Sequence, residues 1–301
     1  MQSQPIQFQA PSEDVVPFLL PVTTSLFADR AQRFATLAEG HALAPWLQFL
    51  GQLSRAQQAA LSALPPLALP DDERLAQARQ HGMPPLDPGQ RPAAWRDVLH
   101  AIASDLRLSA PEATRAALDG LLVASDNCLE KLADELFNGE MTPDNVASLP
   151  FIAAALQVVH TRLASQLTDE HLQKLDAHNV CPCCGSPAVA SIVRLGSAIS
   201  NLRYLHCCLC NTEWNVPRAV CTSCGSDKDV ALQELEGSKG TVRAETCDSC
   251  KSYLKIVYQE KDPLVDPVAD DLATLALDLL VDEAGYQRAG PNLLLIGANA
   301  A

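Results

Sequence analysis

The chain has 301 residues, and its 36 Asp and Glu against 22 Lys and Arg give a formal charge of −14. This acidic balance argues against nucleic acid or an anionic membrane surface as a partner, because both attract a basic face. A hydrophobic content of 48% is that of a globular protein, and no segment reaches the roughly 18 consecutive apolar residues of a membrane helix.

The chain before Leu26 contains four prolines and no basic residue. A secretory signal begins with a positively charged stretch, which is missing here. We therefore expect a cytoplasmic protein, whose thiols are kept reduced.

Residues 1–178 have the pattern of a helical domain, with apolar residues at helical spacing between Gly and Pro breaks. The spacing predicts helices over 25–39, 46–64, 95–106, 110–124, 127–137 and 150–167. Asp71 is a candidate cap for a further short helix, and the Pro-rich stretch 83–92 is expected to be a loop. The Ala-rich helix over 150–167 is expected at the centre of a bundle.

Three motifs predict helix starts in the second half of this domain. Ser109-Ala110-Pro111-Glu112 fits a capping box, in which the hydroxyl and the carboxylate each bind a backbone N–H. Thr142-Pro143 and Ser148-Leu149-Pro150 each place a proline in a first helical turn, where its missing N–H costs nothing.

The pattern changes at residue 179, where the helical period is lost. Short alternating runs then predict strands over 189–193, 230–235 and 254–258. The helical period returns over 267–283, and five acidic residues are expected on the solvated face of that helix, an acidic docking surface being the alternative. These acids are Asp270, Asp271, Asp278, Asp282 and Glu283. The tail over 292–296 is expected to add a short strand or to pack on a neighbour.

Ten of the 11 cysteines lie in one stretch, and eight of them form four C-x-x-C pairs. The pairs are Cys181/Cys184, Cys207/Cys210, Cys221/Cys224 and Cys247/Cys250. Aligning Cys181 with Cys221 superimposes the first two pairs on the last two, so the stretch is an internal repeat. In a reducing compartment such pairs indicate metal ligands or redox thiols rather than disulfides.

Each repeat reads as a knuckle, a strand, a turn, a strand, a second knuckle and a strand, where a knuckle is a C-x-x-C turn with both sulfurs facing one centre. Gly185 and Gly225 suit the left-handed backbone that follows a knuckle, and Asn211 tolerates it. Two knuckles supply four thiolates in a tetrahedron, which suits Zn²⁺ or a single Fe. Three pairings of four knuckles exist, including a cross-brace of the first with the third. The repeat favours two separate sites in sequence order.

Three cysteines and a histidine remain outside this ligand set. Cys183 and Cys208 stand inside knuckles, but the second repeat has no cysteine in their places. We interpret them as small fillers, with a redox or exchange role as the alternative. His206 is interpreted as a strand residue and Cys128 as a core thiol on a helix.

Three segments carry a resemblance to a known family: RYLHCCLCNTEW at 203–214, RAVCTSCG at 218–225 and DPVADDLATL at 266–275. They resemble the formate dehydrogenase accessory (formation) proteins, the FdhE family. The resemblance implies a cytoplasmic maturation factor for respiratory, molybdenum- or tungsten-containing formate dehydrogenases, which binds their catalytic subunit before twin-arginine export. It also implies iron held by C-x-x-C motifs in rubredoxin-like modules, on the eight cysteines of the four pairs.

The sequence thus predicts an α plus small β fold: an all-helical domain over 1–178, two tandem rubredoxin- or zinc-ribbon-like four-cysteine modules over 179–219 and 220–261, and a C-terminal helix and tail over 262–301. The resemblance implies a non-enzymatic accessory protein with iron in two mononuclear sites, and zinc is the alternative metal that the same cysteines would accept. Four sulfurs leave no open position on the ion for water or a substrate, which argues against hydrolysis.

Two other functions remain open at this point. A zinc ribbon that binds nucleic acid would need a basic footprint, but residues 181–261 hold nine Lys and Arg against eight Asp and Glu. A thiol or iron redox protein is the second alternative, although no helix follows a knuckle as in thioredoxin-type sites.

Overall fold

The computed structural model of the protein describes residues 15–196 and 201–295. The helices are α1 Leu26–Ala38, α2 Ala44–Ala63, α3 Asp72–Gln80, α4 Ala94–Leu106, α5 Glu112–Val123, α6 Asp126–Asn138, α7 Leu149–Ala164, α8 Pro267–Leu272 and α9 Leu275–Glu283. The strands are β1 Phe18–Leu19, β2 Ala188–Arg194, β3 Leu202–Cys207, β4 Glu213–Val216, β5 Val230–Gln233, β6 Val242–Cys247, β7 Ser252–Tyr258 and β8 Gln287–Arg288. The predicted order of a helical region, a Cys-rich sheet region and a C-terminal helical segment is confirmed.

Helix α7 is the centre of the helical region, as its composition predicts. Fourteen of its 16 residues are buried, and it packs against α2, α4 and α6. The same apolar cluster continues into the sheet, since Ile152 on α7 and Leu205 on β3 both belong to it. Helices and first repeat therefore share one core.

The helix start predicted at Ser148-Leu149-Pro150 is confirmed, since α7 begins at Leu149 with Pro150 in its first turn, but the capping box at Ser109 and the start at Thr142 are wrong. Helix α5 begins at Glu112 after Pro111, without a side-chain cap, and the Ser109 hydroxyl instead donates to Gln52 Oε1 at 2.8 Å. The segment after Thr142 is a run of turns. A third capping prediction is confirmed, because the Asp71 carboxylate accepts from the backbone N–H of the third helical residue of α3.

The turns after Thr142 are held by one side chain. Asn145 accepts from the Thr142 N–H at 2.8 Å and donates to Glu135 Oε2 at 2.9 Å and to the Glu140 carbonyl at 2.8 Å. These side-chain bonds to α6 and to the turn after it replace the backbone hydrogen bonds that a helix would have formed here.

The two repeats form one mixed sheet with the strand order β1-β4-β3-β2-β7-β6-β5, and β8 pairs with β7. Each repeat gives three antiparallel strands, β2-β3-β4 and β5-β6-β7. Strands β2 and β7 run parallel and join the repeats, with Ser191 opposite Ile256 and Val193 opposite Tyr258. The sequence predicts the two units but not this junction.

The start of the described chain is also part of the sheet. In β1, Phe18 lies opposite Trp214 and Leu19 opposite Glu213 on β4. The Tyr204 hydroxyl donates to the Val16 carbonyl at 2.9 Å. This short strand between prolines has no periodicity that a sequence pattern could reveal.

The predicted single helix over 267–283 is two helices, α8 and α9, separated at residues 273–274. The break is stabilised by Lys255 on β7, whose ammonium donates to the Asp271 carbonyl at 2.8 Å and to the Thr274 carbonyl at 3.1 Å. The Thr274 hydroxyl donates to the Asp270 carbonyl at 2.8 Å. Because these carbonyls already accept hydrogen bonds from side chains, the helix can end here without leaving them unpaired.

The predicted solvated acidic face is wrong for three of its five members. Asp270 is buried against Arg33 with contacts of 2.6 and 2.8 Å. Asp271 is fully buried and lies 2.5 Å from Arg288 and 3.3 Å from Lys255. The half-buried Asp278 contacts the same two cations. The last two acids of the set are exposed, as predicted.

The tail packs onto this region without forming a strand over 292–295. Leu293 and Leu294 are buried, and the Asn292 side-chain amide donates to Asp271 Oδ2 at 2.8 Å. The remaining residue of that predicted tail, Ile296, lies outside the described residues. Among the described residues, no helix combines the length and the apolar character needed to cross a membrane.

Candidate metal centres

The eight paired cysteines lie in two groups of four, each made by the two knuckles of one repeat. The first cysteine group is Cys181, Cys184, Cys207 and Cys210. The second cysteine group is Cys221, Cys224, Cys247 and Cys250. Within each group the sulfurs lie within 4.8 Å of one another. The knuckles thus pair in sequence order and not as a cross-brace.

The first knuckle of each repeat is shaped by the same two backbone bonds. The Cys181 N–H donates to the Ser186 carbonyl and the Gly185 N–H to the Cys181 carbonyl, both at 2.8 Å. The equivalent bonds of the second repeat are 2.8 and 2.9 Å long. Gly185 and Gly225 have φ values of 75° and 76°, the left-handed conformation predicted for them.

The second knuckle of each repeat uses a non-glycine residue in the same conformation. Asn211 has a φ of 60°, as predicted, and Lys251 a φ of 54°. Lys251 was not predicted, although it is the residue of the second repeat that aligns with Asn211. All four knuckles therefore end in a left-handed residue that turns the chain back toward its strand.

The sulfur spacing fits one tetrahedral ion per group. The distances are 3.6 Å for Cys181–Cys210 and 3.5 Å for Cys184–Cys207 in the first group. In the second group both corresponding distances are 3.7 Å. Metal–sulfur bonds of ~2.3 Å place tetrahedral ligands ~3.8 Å apart. Each group could hold a metal ion that accepts four sulfurs, a description that fits both zinc and iron.

Backbone N–H groups point at the sulfurs of the first group. Cys183 N–H donates to Cys181 Sγ, and the N–H groups of Leu209 and Cys210 donate to Cys207 Sγ, each at 3.4 Å. Hydrogen bonds of this kind favour the thiolate over the thiol, and the thiolate is the form that binds metal.

A hydroxyl accompanies the last cysteine of each repeat. Thr212 Oγ1 lies 3.2 Å from Cys210 Sγ, and Ser252 Oγ lies 3.0 Å from Cys250 Sγ. The two hydroxyl residues occupy equivalent positions of the two repeats. Sequence reasoning missed them, although extending the self-comparison past the last cysteines would have aligned them.

The same last cysteine of each repeat has a lowered pKa. Burial raises the pKa of Cys181 and Cys207 well above the ordinary thiol value. Burial acts in the same direction on Cys210, but hydrogen bonds from neighbouring thiols outweigh it and leave the pKa well below that value. The pKa of Cys250 is lowered to about 7 because hydrogen bonds from Ser252 and the other thiols outweigh its partial burial. Metal binding to either group would therefore displace protons from the remaining thiols.

His206 lies on β3 beside the first group, as predicted, and its ring is held by two side chains. Its Nδ1 is 2.9 Å from Glu213 Oε1, and its Nε2 is 3.1 Å from Asn211 Oδ1. Glu213 also contacts Arg194 twice at 2.6 Å. Burial alone would raise the pKa of Glu213, but His206 and Arg194 lower it to about 2. This buried network supports the knuckle that ends in Asn211.

The three remaining cysteines fall outside both groups. Cys183 and Cys208 are buried inside the knuckles of the first repeat. Cys128 is exposed, so its prediction as a core thiol is wrong. Helix α6 buries Leu129, Ala133 and Leu136, and Cys128 lies in the first turn beside this stripe.

Family models match nearly all of the described chain. The model described as FdhE, N-terminal, matches residues 15–177, and that of the FdhE central domain matches 180–218. The model of the FdhE C-terminal domain matches 219–295. The matches thus include the helical region and both cysteine groups.

Individual proteins are similar over the same length. The chain is 40% identical over 299 residues to the Protein FdhE homolog of Pseudomonas aeruginosa, covering 97% of this chain and 96% of that protein. It is 40% identical over 287 residues to the homolog of Serratia proteamaculans, with coverages of 94% and 92%. The crystal structure of the FdhE protein from Pseudomonas aeruginosa matches with a TM-score of 0.85 and 39% identity, over 94% of this chain and 99% of that chain.

Proposed function

The chain belongs to the FdhE family, and on that premise we propose that it is an accessory protein for the assembly of respiratory formate dehydrogenase. In this proposal it acts in the cytoplasm and binds the catalytic subunit of that enzyme before twin-arginine export. The observation that carries the proposal is the family match over all three regions of the chain, together with the presence of all eight paired cysteines.

The eight cysteines are proposed to hold two mononuclear metal ions, one for each group. The convergence of four sulfurs in each repeat supports this assignment. A bound ion would cross-link the two knuckles of its repeat. Iron is the proposed metal because of the family resemblance, and zinc is the alternative that the same ligands accept.

The proposed role is not catalytic. Four sulfurs occupy every position of a tetrahedral ion, so neither group offers a place for a substrate to bind the metal. The net charge of −14 favours a protein client over a polyanion. The protein would therefore act by binding its client.

A pull-down combined with complementation tests this proposal. In a strain lacking this protein, membrane formate oxidation should be lost, and the tagged wild-type chain should restore it and co-purify with the catalytic subunit. Cys181→Ser should fail to restore activity, whereas the exposed Cys128→Ser serves as the matched control and should restore it. Normal formate oxidation in the deletion strain, with no recovery of the catalytic subunit, would refute the accessory role.

A further inference from the structure

The two cysteine groups differ in their access to solvent. All four cysteines of the first group are buried, and the most accessible of them, Cys184, is 1% exposed. In the second group Cys221 and Cys247 are buried, but Cys224 and Cys250 are exposed. One cysteine of each knuckle of the second group is thus exposed.

The first group is also fastened to the helical region. The Leu86 N–H donates to the Cys183 carbonyl at 3.0 Å, inside the first knuckle. On the second knuckle, the Gln157 amide of α7 donates to the Cys208 carbonyl at 2.8 Å, and the Asn211 amide donates to Thr161 Oγ1 of α7 at 2.8 Å. Opening either knuckle would break these buried bonds and expose the shared core, which costs free energy.

No such attachment restrains the second group. Within the described residues, none of the hydrogen bonds joins its knuckles to helices α1–α7. Its second knuckle contacts the segment after α9 instead, where the Gln287 N–H donates to the Lys251 carbonyl at 2.7 Å and the Tyr286 hydroxyl to Asp248 Oδ1 at 2.9 Å. These contacts lie at the surface, as do the contact of Ser249 Oγ with Asp229 Oδ2 at 2.5 Å and the ion pair of Lys251 with Asp248 at 2.6 Å. Exposed contacts of this type contribute little to stability, so these knuckles can open locally while the rest stays folded.

We propose that the two groups divide the work: the first keeps its metal as a permanent link between sheet and helices, and the second exchanges its metal with external ligands through Cys224 and Cys250. This inference rests on the proposed function in one respect, that both groups hold a metal. The external ligand is a chelating molecule or protein that offers nitrogen, oxygen or sulfur donors.

A bound ion would be exchanged by ligand substitution, with Cys224 and Cys250 as the first cysteines to give it up. Each bond lost to a sulfur would be replaced by one from the incoming donor atom, and the freed thiolate would take a proton from water. No oxidation state would change. The first group cannot begin this sequence without partial unfolding, because no sulfur of that group is accessible.

Metal release from the zinc-loaded full-length chain tests the division. The chain is loaded until elemental analysis counts its zinc, and is then mixed with an excess of a chromogenic chelator such as pyridylazoresorcinol. One ion per chain is expected to leave in a fast phase without change in far-ultraviolet circular dichroism. The second ion is expected to leave in a slow phase that coincides with loss of helical signal. Cys224→Ser should abolish the fast phase and keep the slow one.

A thiol-labelling experiment tests the same division with all eight paired cysteines intact. It uses the Cys128→Ser chain, which lacks the exposed cysteine outside the two groups. A limiting amount of iodoacetamide should modify Cys224 and Cys250 of the zinc-loaded protein first, as read by peptide mapping, and only the fast-released ion should be lost. Release of two ions at a single rate, or first modification of Cys181 or Cys207, would overturn the division of work. A chain that takes up no zinc would instead overturn the assignment of metal to these cysteines.

Discussion

Ser252 shows how a single residue outside the four cysteines bears on a candidate metal centre. Its hydroxyl lies 3.0 Å from Cys250 Sγ, and its hydrogen bond is one cause of the lowered pKa of that thiol. At the equivalent position of the first repeat the Cys210 thiol donates to Thr212 Oγ1. A hydroxyl that donates to a thiolate favours the form that binds metal. The repeat places a hydroxyl residue two positions after the last cysteine of each unit, so this position was predictable from the repeat but not from the cysteines alone.

Removal of the Ser252 hydroxyl should weaken metal binding. Ser252→Ala is expected to lower the affinity of the second group by roughly tenfold, the lower end of typical effects for such supporting bonds. Competition with a chelator of known affinity measures the change. Ser249→Ala is the matched control, because that hydroxyl bonds Asp229 and not a sulfur. An unchanged affinity in Ser252→Ala would show that the contact has no role in metal binding.

Glu213 gives the molecule a predictable pH dependence. Its pKa is lowered to about 2 in the folded protein, against ~4.3 for an ordinary Glu. Because the folded value is lowered, its stabilising contribution is fully present above the unfolded pKa and is lost as the pH falls toward the folded one. Between pH 5 and pH 3.5 the loss should be about 1 kcal/mol.

The variant Glu213→Gln tests this pH dependence, because its amide side chain does not titrate. The difference in free energy of unfolding between wild type and Glu213→Gln, measured with urea, should narrow by about 1 kcal/mol between pH 5 and pH 3.5. Both proteins are compared free of metal, so the difference isolates the carboxylate. A difference that stays constant would mean that Glu213 is not ionised preferentially in the folded state.

At the scale of elements, helices α8 and α9 show where sequence patterns reach their limit. The apolar spacing over 267–283 predicts helical structure correctly, but it assigns every acid to solvent. Asp270 and Asp271 are buried because Arg33 and Lys255, distant along the chain, provide their partners. A local window cannot contain those cations. The four knuckles, by contrast, depend on neighbours within one repeat and were predictable.

A pair of substitutions in this region tests whether Asp271 is a buried ion-pair partner or a residue of a solvated face. Asp271→Asn should destabilise the fold by about 3 kcal/mol, because it leaves Lys255 and Arg288 without a fully buried counter-charge. Asp282→Asn on the exposed face of α9 should change stability by less than about 0.5 kcal/mol. Urea unfolding monitored by circular dichroism gives both values. Equal losses of stability in the two variants would contradict the burial of Asp271 and would support the predicted solvated face.

At the scale of the whole molecule, three attachments join parts that the sequence predicted separately. The parallel pairing of β2 with β7 unites the repeats, and the bonds of α7 hold the first repeat. Ion pairs from Arg30 to Asp266 and from Arg33 to Asp270 hold α1 against α8. Composition and spacing predict the helices and the two repeats. The contacts that join them depend on residues far apart in the sequence, which these patterns do not pair.

This assembly predicts unequal costs for the loss of one ligand. Cys207→Ser should lower the melting temperature of the helical signal in circular dichroism more than Cys247→Ser, because the first group lies in the core shared with the helices. Both variants remove a buried cysteine at the same place in the repeat. Equal shifts in melting temperature would indicate that the helical region does not depend on the first group.

The metal content of the chain purified from its natural host tests the central claim, that eight cysteines in two groups hold two metal ions. Elemental analysis should find two ions per wild-type chain, with iron as the proposed metal, and one ion in Cys221→Ser. The double variant Cys181→Ser/Cys221→Ser should retain none, because each site would lack one of its four sulfurs. A wild-type chain without stoichiometric metal, or a double variant that still holds two ions, would contradict the claim.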